Sequence, residues 1–204
     1  MADDRLVNLS AGEALERLQV GNERFVSDSP IRPRGGAARR KELVAGQSPF
    51  ATIITCADSR VPAELVFDQG LGDLFVIRVA GNISGDAVLG SVEYASLRLG
   101  VNLIVIMGHR SCGAVSAAVD NVDVDGPATG SHMDALIDAI RPAVLAAQRQ
   151  GNDDLLDRSI RQNAVMVAAE IRRSEPTVAG LEEHGVEVHS AYYDLKSGKV
   201  GWLS

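Results

Sequence analysis

The chain has 204 residues, 46% of them hydrophobic and 23% charged, which are ordinary proportions for a globular protein. Its formal net charge of -7 argues against a nucleic-acid partner, because binding to phosphate backbones requires a net basic face. No apolar run approaches the roughly 18 residues of a membrane span, and no secretory signal is recognisable, so we expect a cytoplasmic protein without a membrane partner and with two free cysteines.

Residues 1–45 predict a helix followed by a loose arm. Leu18 and Phe25 belong to an apolar stripe at helical spacing, and Ser10 with Glu13 has the spacing of a capping box that begins the helix. A segment rich in arginine, proline and glycine follows. Because the stripe precedes this loose segment, we expect the helical arm to pack on a partner subunit.

Three short, unbroken apolar runs come next, each with branched aliphatic side chains. Runs of this kind indicate strands that are covered on both faces, as in a parallel sheet. Helical patterns separate the runs, and alternating strands and helices imply an α/β fold. The runs are residues 50–56, 74–79 and 103–107.

The clearest helical pattern is residues 86–99, for which Asp86 is a suitable N-cap and Gly100 a suitable stop. Residues 131–150 predict another helix, in which Pro142 should introduce a kink.

The C-terminal part predicts a further long helix over residues 153–173, a strand over 186–194 and a short final strand through Trp202. We therefore expect one α/β domain with a mostly parallel central sheet flanked by helices and a short C-terminal edge hairpin. This domain covers residues 1–204, with the N-terminal helix and arm in 1–45 and the α/β core in 46–204.

Two polar loops follow directly after predicted strands. The first begins with Cys56, and the second contains His109 and Cys112. Because ligands bind outside the carboxyl ends of strands in open parallel sheets, the two loops can converge on one metal ion. Two thiolates and one imidazole suit zinc, and three protein ligands leave a fourth position open, as catalytic zinc sites require.

Other interpretations of these residues stay open at this point. Cysteine is also a common core residue, so ordinary burial is an alternative to metal binding. A structural zinc site needs a fourth ligand, and the chain has no third cysteine, although three other histidines remain. A non-enzymatic zinc protein or a thiol-based redox sensor is the alternative of another class.

The two loops together resemble the β-class carbonic anhydrases. The pattern is Cys-x-Asp-Ser-Arg at 56–60, then a strand, a helix and a strand, then Gly-His-x-x-Cys-Gly at 108–113. Segments 67–70, 74–78 and 91–95 are also similar to that family, so the resemblance covers nearly the whole chain. It implies a zinc enzyme that reversibly hydrates carbon dioxide to bicarbonate and a proton through a zinc-bound hydroxide. Hydrolysis of carbon disulfide or carbonyl sulfide on the same scaffold is the alternative activity.

The resemblance also implies roles for individual residues. Cys56, His109 and Cys112 correspond to the zinc ligands of the family, and Asp58 and Arg60 correspond to its Asp–Arg dyad. In the family this aspartate either pairs with the arginine, which leaves zinc open to water, or becomes a fourth ligand that closes the site.

Further positions correspond to the substrate pocket of one subclass. They are Gln47, Phe75 and Tyr94, with the glutamine supplied by the opposite subunit. In the subclass that bicarbonate inhibits, a tryptophan joins an arginine and a tyrosine, for which Arg78 and Tyr94 are suitable, but Ile53 stands where that tryptophan would be. The resemblance therefore favours the non-allosteric subclass, and it implies a homo-oligomer, either a dimer or a dimer of dimers.

Overall fold

Strands and helices alternate along the chain, as the apolar runs predict. The computed structural model describes residues 9–151, 153–174 and 185–203. The strands are β1 (Ala51–Thr55), β2 (Leu74–Arg78), β3 (Leu103–His109), β4 (Glu187–Tyr193) and β5 (Val200–Leu203). The helices are α1 (Ala11–Val26), α2 (Ala37–Leu43), α3 (Ala63–Val66), α4 (Asp86–Leu99), α5 (Gly113–Asp120), α6 (Met133–Gln148) and α7 (Leu155–Arg172), and a 3₁₀ turn spans Ala80–Asn82. None of the described helices is both long and apolar enough to cross a bilayer.

The strands form one sheet in the order β2-β1-β3-β4-β5. The first four strands are parallel, and β5 pairs antiparallel with β4 at one edge. Strands β1 and β3 are buried along their whole length because apolar side chains on both faces are covered. The predictions of a mostly parallel sheet and a C-terminal edge hairpin are confirmed.

Helix α1 begins at the predicted capping box. The Ser10 hydroxyl accepts from the amide of Glu13, and the Glu13 carboxylate accepts from the amide of Ser10. Its apolar stripe, however, is buried within its own chain. Leu18 has no exposed surface and packs in one core cluster with Phe50 and Phe67. The expectation that this stripe packs on a partner subunit is therefore wrong for α1, because the chain's own core already covers it.

The arm after α1 is held on its own chain by two buried aspartates. Asp68 accepts hydrogen bonds from the amides of Ile31 and Arg32. Asp73 accepts from two nitrogens of the Arg34 guanidinium. Helix α2, near the end of the arm, buries none of its residues, so this part of the arm lies on the surface.

Three predicted helices are present with small differences at their ends. Helix α4 ends at Leu99 and is capped by the predicted stop residue Gly100, whose φ of 68° is the left-handed conformation that glycine adopts easily. Its N-cap, however, is Gly85. Asp86 is the first helical residue instead, where its carboxylate still faces the positive end of the helix dipole. Helix α6 begins two residues later than predicted and includes Pro142, and α7 lies within the predicted range.

Helix α7 packs directly against β3 just before the second polar loop. A Cβ atom on Gly108 would lie 3.1 Å from Cγ2 and 3.2 Å from the carbonyl oxygen of Ile160. Glycine at this position therefore lets the helix approach the strand closely, and this contact sets the position of the loop that follows.

Candidate metal centre

The three predicted metal ligands lie together at the carboxyl edge of the sheet. Cys56 follows β1 directly, His109 is the last residue of β3, and Cys112 is the N-cap of α5. Their ligand atoms lie within 4.8 Å of one another, and all three residues are buried. The two sulfur atoms are 3.9 Å apart, and both cysteines are free thiols. The predicted convergence of the two loops is confirmed.

The imidazole of His109 is oriented for metal binding. Its Nδ1 lies 3.0 Å from the carbonyl oxygen of Arg110, which can only accept, so the ring proton belongs on Nδ1. Its Nε2 is buried and has no hydrogen-bond partner. Buried polar atoms are rarely left unpaired, so this nitrogen calls for a ligand of its own. One imidazole and two thiolates in a group of this size fit zinc.

The two thiols differ in their acidity. The pKa of Cys56 is lowered to about 4, mainly by the hydrogen bond shared with the Cys112 thiol, and the amide of Gly81 contributes from 3.3 Å. The pKa of Cys112 is raised by the neighbouring Cys56 sulfur and by burial. Without a cation only one of the two ionises easily, whereas a divalent metal ion stabilises both thiolates.

Sequence reasoning missed the hydrogen bond to Cys56. A cysteine that follows a strand and precedes no helix has no obvious amide donor in the sequence, whereas Cys112 stands before α5. A distant backbone donor to Cys56 is the amide of Gly81, which lies 25 residues away in the 3₁₀ turn after β2. The only signal in the sequence is a glycine shortly after a neighbouring strand.

The predicted dyad is formed. Arg60 donates from Nε to Oδ1 of Asp58 at 2.9 Å and from Nη2 to Oδ2 at 2.7 Å. These hydrogen bonds hold the pKa of the Asp58 carboxyl well below its usual range. Oδ2 lies 3.9 Å from Nε2 of His109, and Arg60 also donates to the carbonyl oxygen of Ser111. The dyad therefore connects the two metal-binding loops.

The side chain of Arg78 contacts the backbone of the first polar loop. Its guanidinium donates to the carbonyl oxygens of Cys56 and Asp58, so it holds the backbone of the first loop. The sheet register explains this contact, because Arg78 pairs with Thr55, the residue just before the loop. Its position at the end of an apolar strand did not reveal this role.

The three predicted pocket residues lie on the surface of the chain or close to it. The rings of Phe75 on β2 and Tyr94 on α4 have centroids 6.1 Å apart, and Tyr94 is 49% exposed. Gln47 is exposed in the segment before β1. The structure thus brings Phe75 and Tyr94 together and leaves Gln47 uncovered by its own chain.

Comparison with known proteins agrees with this geometry. The carbonic anhydrase family matches residues 51–200, a span that includes all three candidate ligands. Carbonic anhydrase 2 of Mycobacterium tuberculosis is 42% identical over 196 residues, which cover 95% of this chain and 93% of that protein. The carbonic anhydrase of Mycolicibacterium smegmatis is 38% identical over 187 residues, which cover 92% and 90% of the two chains.

Solved structures are similar over the same span. The β-carbonic anhydrase of Coccomyxa in complex with acetazolamide has a TM-score of 0.73 and 26% identity, covering 93% of this chain and 86% of that one. A chain from the tetrameric β-carbonic anhydrases of Sordaria macrospora has a TM-score of 0.71 and 26% identity, covering 94% and 98%. These names favour carbon dioxide over the sulfur-containing substrates. The chain therefore belongs to the β-class carbonic anhydrases, the zinc enzymes that interconvert carbon dioxide and bicarbonate.

Proposed function

We propose that Cys56, His109 and Cys112 hold the catalytic zinc through their two sulfur atoms and the imidazole Nε2. The observation that carries this assignment is a buried group of three ligand atoms within 4.8 Å, one of which has no other partner. Zinc bound there supplies a Lewis acid that lowers the pKa of a water molecule in the site.

Asp58 orients the reacting water in this proposal. Its carboxylate is ionised and can only accept, so it accepts a hydrogen bond from the water and turns the lone pair of the water oxygen toward carbon dioxide. Two contacts from Arg60 keep the carboxylate in one orientation. In the closed alternative Asp58 becomes a fourth ligand, which requires both contacts to break. The observed pairing supports the open arrangement.

Phe75 and Tyr94 form the apolar wall of the substrate pocket in this proposal, and Gln47 of the partner subunit completes it. Two observations support a contribution from a second copy. Tyr94 and Leu97 are both exposed on α4, and Asp58 with Arg60 lies partly exposed on the single chain. A second copy that covers this face would remove water from the pocket.

The assembly in this proposal is a homodimer or a dimer of dimers. The tetrameric relatives from Sordaria macrospora support the larger assembly. The chain acts as one domain, made of the helix and arm (residues 1–45) and the α/β core (residues 46–204). The surface part of the arm contacts the partner subunit. The compartment in this proposal is the cytoplasm, where the two cysteines stay reduced before they bind zinc.

The test is carbon dioxide hydration by stopped flow, with zinc measured on the same sample. We expect fast hydration with about one zinc per chain. Cys112→Ser should lose the metal, because a hydroxyl is a poorer zinc ligand than a thiolate. A Cys112→Ser protein with full zinc content would refute the ligand assignment, and a zinc-loaded wild type without hydration would refute the activity.

A further inference from the structure

Two polar side chains, Ser159 and Asn163, lie on the buried face of α7, and Asn163 makes a long-range hydrogen bond. Asn163 is 2% exposed, and its neighbours on this face, Ile160 and Val167, are also buried. Burying an amide costs free energy unless its polar atoms are hydrogen-bonded. The Nδ2 atom of Asn163 donates to the carbonyl oxygen of Gly81 at 2.8 Å, across 82 residues of sequence. The amide therefore has a specific partner in the turn after β2.

That partner touches the metal centre. The amide of Gly81 donates to the sulfur of Cys56 at 3.3 Å, and its φ of 74° lies in the left-handed region. A Cβ atom at this position would lie 2.6 Å from Cδ1 of Ile140 and 3.2 Å from Cβ of Ala114. The turn is thus pressed between helices, and only glycine fits there without displacing a neighbour.

The two hydrogen bonds of Gly81 are linked through its backbone. The N–H that faces Cys56 and the C=O that faces Asn163 belong to successive peptide groups, related by φ and ψ of this glycine. Glycine restricts these angles less than any other residue. When Asn163 holds the carbonyl of Gly81, the N–H of Gly81 therefore stays directed at the Cys56 sulfur. Without that hydrogen bond the glycine can rotate and the N–H can turn away.

We propose that Asn163 is a positioning residue of the metal centre, which holds Gly81 so that its N–H stays on the Cys56 thiolate. The proposal rests on Cys56 being a zinc ligand, as assigned above. An N–H···S bond withdraws electron density from the thiolate and fixes the direction of its lone pairs, so Asn163 tunes both the strength and the geometry of the sulfur–metal bond. Packing against β3 alone needs no amide at this position.

The test measures metal binding rather than turnover. Asn163→Leu keeps a side chain of similar length and removes the donor. We expect its zinc dissociation constant, measured by competition with a chromophoric chelator, to rise about 10- to 100-fold. In the protein loaded with cobalt(II) instead of zinc, we expect the thiolate-to-cobalt charge-transfer absorption to shift relative to the wild type. A purely structural role of Asn163 would leave that absorption unchanged.

Val167→Ala is the matched control, because it removes packing from the same helix face one turn further on. It should lower the thermal midpoint and leave zinc affinity and the cobalt spectrum unchanged. If Asn163→Leu does not fold, Asn163→Ala removes the donor with a smaller side chain, and the same two changes are expected. Wild-type affinity and spectrum in the Asn163 variant, or an equal loss of affinity in Val167→Ala, would overturn the proposal. Failure of the ligand assignment itself would differ, because the wild type would then bind no zinc at Cys56.

Discussion

The carboxylate of Asp58 is held by Arg60 at both oxygens, whereas the ring of His109 is held only at Nδ1. This difference separates their tasks. A buried ring nitrogen without a partner is available to bind a metal ion, and a carboxylate that is already paired is an acceptor with a fixed direction. At the scale of single residues, the hydrogen bonds already made by each side chain therefore indicate which atoms are available to bind the metal and which are available to orient water.

Asp58→Asn should keep zinc and lose at least about 100-fold in hydration rate, because an amide can neither pair with Arg60 at both positions nor accept in the same way. Zinc content and stopped-flow kinetics on the same sample check this. Asp138→Asn is the control, since Asp138 is an exposed carboxylate paired with Arg141 and should be without effect. Near-wild-type hydration by Asp58→Asn would remove Asp58 from the mechanism.

At the scale of elements, α1 is fixed to the core by close approach as well as by apolar burial. A Cβ atom on Gly21 would lie 1.9 Å from the carbonyl oxygen of Phe67. Next to it, Asn22 donates to the carbonyl oxygens of Val66 and Gly198. The helix thus joins the loop after α3 to the turn between β4 and β5, which lies far away in the sequence.

Gly21→Ala should lower the free energy of unfolding by about 2–3 kcal/mol or more, because the added methyl group must push α1 away from the backbone of Phe67. Gly12→Ala in the same helix meets no atom within 4 Å and should instead stabilise by about 0.5–1 kcal/mol through helix propensity. Urea denaturation of both variants measures the difference. Equal effects of the two substitutions would mean that α1 is free to shift.

We expect the arm after α1 to lose its attachment to Asp68 in acid. Burial opposes ionisation of Asp68, but hydrogen bonds from Arg24 and from the amides of Ile31 and Arg32 outweigh it and hold the pKa of this carboxyl below its usual value. Because the pKa of Asp68 is lower in the folded state, its ionised carboxylate stabilises the folded protein fully above the unfolded-state pKa of about 3.9. This stabilisation is lost as the pH falls through the folded-state pKa.

We therefore expect Asp68→Asn to cost about 1–3 kcal/mol of stability near pH 7 and progressively less as the pH falls toward 3. Thermal midpoints of wild type and variant, measured across this range at equal zinc content, check the sign. A difference that grows in acid would contradict the assignment of Asp68 as an ionised clamp of the arm.

At the scale of the whole molecule, one chain leaves apolar side chains uncovered on α4 and after α2. Tyr94 and Leu97 on α4 and Val44 after α2 are exposed, and the middle of the edge strand β2 is only half-buried. A second copy on this face would cover them and bring its Gln47 to the pocket. The proposed active unit is therefore larger than the chain.

Mixing two inactive variants tests whether the pocket is shared. If Gln47 acts across the interface, a hybrid dimer of one Asp58→Asn chain and one Gln47→Ala chain contains one intact site. Random reassociation makes about half of the dimers hybrids, so about a quarter of all sites recover. Hydration after unfolding and refolding the mixture measures this, with each variant refolded alone as the control. If Gln47 acts within its own chain, no intact site forms and no activity returns. Light scattering should show a mass of at least two chains.

Much of this molecule follows from local patterns in its sequence. Apolar runs predicted the three parallel strands, and capping and stop residues such as Ser10 and Gly100 placed helix ends, because both kinds of signal act over a few residues. Cys56, His109 and Cys112 could be predicted as one group, because parallel strands present their carboxyl ends at the same edge of a sheet.

Only the tertiary structure decided which surfaces meet. Three kinds of contact join residues that are distant in sequence. The core buries the apolar stripe of α1, Arg78 donates hydrogen bonds to the first loop, and Asn163 donates one to Gly81. No local pattern encodes such contacts, because they depend on how complete helices and strands pack, and a buried amide on a helix looks the same in sequence whatever it binds. The sequence by itself predicted the candidate metal ligands, and the fold decided what holds them in place.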